Sequence, residues 1–160
     1  MKNITTILPI IVILLAISLL FSFKSKKQEE EIIPCEEITL GCMILGRGTQ
    51  GEHVIRNNTD YQKLIQQKSP HSDCSNYQLP AIDFYDYTLI GYVSSVGGCD
   101  EPKVTHNVTK INTNYIVNVE IQQVGLCKRN NPIKIWCLIP KVQDNATVKF
   151  NVTKTLINKE

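Results

Sequence analysis

From Tyr115 to Val124 apolar and polar residues alternate: Tyr115, Val117, Val119 and Ile121 share one face, opposite Asn118, Glu120 and Gln122. A period of two is that of a strand with one face on a core and one in water. Val148, Phe150 and Val152 alternate with Lys149, Asn151 and Thr153 in the same way and predict a C-terminal strand. Tyr87 to Val96 and Ile133 to Ile139 are apolar on both faces, as central strands are. Thr39 to Leu45, His53 to Arg56 and Val104 to Ile111 are further predicted strands. One segment departs from this period. Thr59 can cap a helix with Gln62 bonding back to it, Tyr61, Leu64 and Ile65 then line a face that can lie across a sheet, and the helix ends before Ser69-Pro70. Turns are expected at Gly46-Arg47-Gly48, Gly97-Gly98, Asn112-Thr113-Asn114 and Asn130-Asn131-Pro132. The expected product is an α+β domain, mainly antiparallel sheet in a sandwich or partly open barrel, with one short helix.

The N-terminus follows neither period. Residues 7–23, ILPIIVILLAISLLFSF, carry no charge and lie between Lys2 and the cluster Lys24, Lys26 and Lys27. That run is short for a spanning helix and long for a signal-peptide core, so residues 1–27 are read as a membrane anchor or a signal peptide. Retention is favoured because no small-residue cleavage motif follows, and Cys35 lies too far beyond a charged stretch to be a lipidation site. Three lysines on the C-terminal flank would by themselves favour a cytoplasmic domain; the cysteines argue for the opposite side. Residues 28–34 are expected to be a charged tether and 35–160 the extracytoplasmic domain.

Six cysteines, Cys35, Cys42, Cys74, Cys99, Cys127 and Cys137, show no short C-x2-C spacing, which favours disulfides over zinc. A hairpin turning at Asn131-Pro132-Ile133 would set Cys127 opposite Cys137 and predicts that bridge. Proximity along the chain then pairs Cys74 with Cys99 and Cys35 with Cys42. Five N-x-S/T triplets, starting at Asn3, Asn57, Asn107, Asn145 and Asn151, would be glycosylation acceptors in a eukaryotic secretory pathway; in so Asn-rich a chain they are read as chance.

Charge excludes one class of partner. Of 17 basic residues four flank the apolar run, leaving 13 against 15 acidic ones, with no basic stripe to displace counterions from phosphates. Nucleic acid is therefore not an expected partner. His53, His71 and His106 lie in different predicted elements and form no H-x-x-x-H pattern, so no metal site and no cofactor are expected. Ser94 to Cys99 lacks the G-x-S-x-G arrangement of a nucleophile elbow and reads as a strand end and its turn. Asp83 with Asp86, and Asp100 with Glu101, match no EF-hand loop; Asp83 fits an Asx turn ahead of a strand. No catalytic residue is assigned.

Val54-Ile55, the helix, Leu79-Pro80-Ala81-Ile82-Asp83-Phe84, Tyr87-Thr88-Leu89-Ile90-Gly91 and Gly97-Gly98 together resemble the layout of PrcB-like domains of exported bacterial proteins. The resemblance covers about half the chain and implies a noncatalytic β-rich domain that stabilises a protein partner. It supplies no catalytic residue. The function expected is thus an exported or membrane-anchored interaction domain. The alternatives are a hydrolase with a site built from loops around Asp83, Asp100 and His106, and a ligand-binding barrel with an apolar interior.

Overall fold

The computed structural model describes residues 30–40, 49–66 and 79–157. Eight strands form two four-stranded sheets. In the first, β1 (Glu30–Ile33), β5 (Lys103–Ile111), β6 (Asn114–Val124) and β8 (Val148–Ile157) lie in the order β1-β5-β6-β8. In the second, β2 (Glu36–Glu37), β7 (Asn131–Pro140), β4 (Tyr87–Val96) and β3 (Gly51–Ile55) lie in the order β2-β7-β4-β3. All neighbours are antiparallel except β6 and β8. The sheets pack as a sandwich and do not close into a barrel.

Alternation fixes the main core. Val117, Val119 and Ile121 of β6 meet Ile133, Ile135, Cys137 and Ile139 of β7 and Ile90, Tyr92 and Val96 of β4 between the sheets. The strands that read as apolar on both faces are those with two neighbours in the second sheet, and their other faces build a second cluster. There Leu89, Val93 and Trp136 are covered by Tyr61, Leu64 and Ile65 of the helix α1 (Asn58–Gln66). The molecule is thus three layers deep on that side: sheet, sheet, helix.

The cap of α1 lies two residues earlier than the sequence predicts. Asn57 Oδ1 accepts the Asp60 amide at 2.9 Å, and Asn57 Nδ2 donates to Asp60 Oδ2 at 2.9 Å. Both residues serve better than Thr59 and Gln62 because the short amide and carboxylate reach each other directly across the first turn. The hydrogen bond from Lys63, followed by the one from Asn57, holds the Asp60 carboxyl below its usual range. Asn57→Ala is expected to cost about 1 kcal/mol, read as a shift in the urea midpoint; an unshifted midpoint would show that the cap contributes nothing.

Other boundaries also move. Four residues of the expected tether, Glu30 to Ile33, pair with β5 as β1, from Glu30 opposite Ile111 to Ile33 opposite Val108, and Ile33 enters the core. Asn112 supplies the left-handed residue of the β5–β6 turn, with φ 58. The turn expected at Asn130-Asn131-Pro132 is absent: Asn131 and Pro132 are already in β7, paired with Val96 and Ser95. β2 covers β7 only at Cys137 and Leu138, so Pro132 lies where, among the described residues, β7 has no neighbour on its other side and its missing N–H costs the ladder nothing. The predicted strand Thr39 to Leu45 is not one at Thr39 and Leu40, and its remainder lies outside the described residues, as do Gly46 to Gly48.

Candidate functional site

The chain passes from the first sheet to the second within two residues, Pro34 and Cys35, between β1 and β2. At that switch Cys35 is bridged to Cys137, an inward-facing residue of β7 that is 1% exposed. On the facing sheet, β5 turns Val104, His106 and Val108 toward the interior, so His106 takes a position the alternation reserves for apolar side chains. A ring nitrogen of His106 and the two sulfurs all lie within 4.8 Å of one another. Glu37 Oε1 stands 3.7 Å from His106 Nε2, with the histidine side chain 13% exposed and the glutamate 77%. A cleft of about 260 Å3 opens beside this group, lined by Glu37, Thr39, Val104, His106 and Lys134. Among the described residues β2 ends at Glu37, the Ile38 amide still donates to the Trp136 carbonyl, and no strand covers the edge of β7 beyond that point.

The second bridge joins Cys99 to Cys127. Both lie at one end of the sandwich, in the loops by which the chain crosses between sheets after β4 and after β6. Their Cα atoms are 4.7 Å apart, against 5.4 Å for Cys35 and Cys137, both inside the usual range for a disulfide. The loops are further tied by the Cys99 amide donating to the Val124 carbonyl and the Gly98 amide donating to the Cys127 carbonyl. Gly125 packs against Cys99 with φ 71, a conformation and a contact that both favour glycine.

These bridges correct the pairings expected from sequence. Cys127 is not bonded to Cys137, Cys99 is not bonded to Cys74, and Cys35 is not bonded to Cys42. β6 and β7 do not form the expected hairpin: β6 pairs with β5 and β8 while β7 pairs with β4 and β2. Cys42, Cys74 and His71 lie outside the described residues, and no described cysteine is free. The two bridges mark an oxidising, extracytoplasmic environment.

Asp83, Asp100 and His106 do not converge. Asp83 precedes β4, where its Oδ1 accepts the Tyr85 amide at 2.8 Å in the expected Asx turn. Asp100 follows the same ten-residue strand at its other end, a strand about 30 Å long. His53 is in the other sheet from His106, with Nε2 2.9 Å from the Thr49 carbonyl and its ring 5.3 Å from that of Trp136. Nor is an apolar ligand cavity seen between the sheets among the described residues: Val108, Val119, Ile121 and Ile139 fill that space and are 0% exposed.

A third feature is an edge. β8 pairs with β6 over all ten residues and has no neighbour on its outer side, making it the longest free edge among the described residues. Lys149, Asn151 and all residues from Thr153 to Ile157 are exposed along it. At its end Leu156 and Ile157, 48% and 41% exposed, lie next to Leu126 at 75%, held there by the Gly125 amide donating to the Ile157 carbonyl.

Fold and bridges together define an extracytoplasmic, disulfide-braced β-sandwich with a helix laid over its second sheet. Residues 1–86 match the model of a family of unknown function, DUF6520, and the chain belongs to that family. No curated protein and no solved structure matches it. Among the described residues no helix is long and apolar enough to cross a membrane; the apolar run at 7–23 lies outside them.

Proposed function

We propose that the chain is a noncatalytic interaction domain, held at the outer face of a membrane by its N-terminal apolar segment, that binds an extended segment of a partner protein along β8. The free outer edge of β8 is the observation that carries this reading. A regular edge of ten residues presents unpaired backbone donors and acceptors, which another strand satisfies by extending the sheet. Lys149 and Lys154 favour an acidic strand over indiscriminate self-pairing, while Leu126, Leu156 and Ile157 offer an apolar anchor at one end. The resemblance to PrcB-like domains, whose implied role is to stabilise a partner, supports the same reading; the segments that carry it fall on β3, α1 and β4 and leave the β8 edge free.

Photo-crosslinking amino acids at Asn151 and Thr153 of the full chain in cells should yield the same extracytoplasmic adduct. Successive amides of an edge strand point alternately inward and outward, so of Thr153→Pro and Lys154→Pro one removes only an outward donor. That variant should keep the fold and lose the adduct. No adduct from β8, with one obtained from exposed positions of β1, would refute the edge as the docking site.

A further inference from the structure

We propose that Cys35, Cys137 and His106 form a redox-gated metal site, closed as a disulfide and opened on reduction to bind one zinc ion. The inference is independent of the β8 reading. Three observations set this bridge apart from Cys99–Cys127. A ring nitrogen stands within 4.8 Å of both sulfurs, a carboxylate stands 3.7 Å from that ring, and the histidine lines a cleft.

As a disulfide the sulfurs are uncharged and poor ligands. A dithiol reductant supplies two electrons and two protons, breaks the S–S bond, leaves two thiols and is itself oxidised to a disulfide. A zinc ion then displaces both thiol protons to solvent and takes two thiolates and the neutral His106 imidazole. Two thiolates balance the charge of the ion, which suits a group as buried as Cys137, and water from the adjoining cleft supplies the fourth ligand.

The geometry needs little motion. Zinc–sulfur bonds of about 2.3 Å at a tetrahedral centre set the sulfurs about 3.8 Å apart, against about 2 Å when bonded. Cys35 lies outside both β1 and β2, so rotation about its χ1 opens this gap while Cys137 stays in the β7 ladder. Either state pins the N-terminal strand pair to β7, by a covalent bond or by the metal.

The test uses the full chain, reduced with a phosphine under anaerobic conditions and titrated with Co2+ as the probe for zinc. The expected result is one ion per chain with a thiolate-to-metal charge-transfer band and tetrahedral d–d intensity. His106→Ala should weaken binding at least tenfold and Cys35→Ser should cut the charge-transfer intensity by about half, while Cys99→Ala/Cys127→Ala binds as the wild type does. His106→Ala can be purified and checked with both bridges formed, so its folding is established before reduction. Equal affinity in His106→Ala and wild type, loss of the band in the Cys99→Ala/Cys127→Ala protein, or a thiolate band in the fully oxidised chain would each overturn the proposal.

Discussion

Removing the Cys35–Cys137 bridge by double alanine substitution should cost about 4.7 kcal/mol, the largest loss expected from any single cross-link in the described chain. The bridge closes a segment with a sequence separation of 102, and the entropy that a cross-link removes from the unfolded chain grows with the logarithm of that length. The same relation gives about 3.6 kcal/mol for Cys99–Cys127, with a separation of 28. The order of the two is the stronger statement, because it does not depend on the absolute scale. Loss of the first bridge also frees the strand pair β1–β2, whose holds on the sheets are four and two residue pairs. Urea unfolding of the two double variants, each with the other bridge intact, measures both values; a larger loss for the Cys99–Cys127 variant would show that strain or residual denatured structure outweighs loop closure here.

Gly91→Ala should be nearly as damaging, at about 3 kcal/mol, although it adds a single methyl group. His53, Gly91 and Trp136 lie in register across β3, β4 and β7, and the Trp136 indole covers the glycine that stands between the two rings. A Cβ at position 91 would stand far inside van der Waals contact with the indole, nearest Trp136 Cζ3 and Cε3. Trp136 is 5% exposed and packed in the cluster beneath α1, so moving its ring disturbs that packing. Overpacking of this kind forces side chains off their rotamers and shifts the backbone. Trp136→Leu costs stability alone but should recover part of the loss when combined with Gly91→Ala. A double-mutant cycle therefore gives a coupling of about 1–3 kcal/mol; simple additivity would mean that the ring does not lie over the glycine.

Period-two alternation by itself determined most of the strands, because a residue's face in a strand depends only on its parity. β4, β5, β6, β7 and β8 lie where that pattern puts them, and the doubly apolar segments are indeed the ones covered on both faces. The helix and its buried face Tyr61, Leu64 and Ile65 were equally legible, since their spacing is local. β1 and β2 were not. Glu30, Glu31, Glu36 and Glu37 are exposed and read as solvated chain; only pairing with β5 and β7 makes them strands. Which strands become neighbours is likewise not encoded in parity. Connection length made β6 and β7 look like a hairpin, yet the chain crosses between sheets there, and that crossing alone decides that Cys127 meets Cys99 and Cys137 meets Cys35. The inward placing of His106 was readable from Val104 and Val108 on either side of it. Its company was not, because Cys35, His106 and Cys137 come from a sheet switch and two strands in opposite sheets, and only the packing of one sheet on the other brings them together.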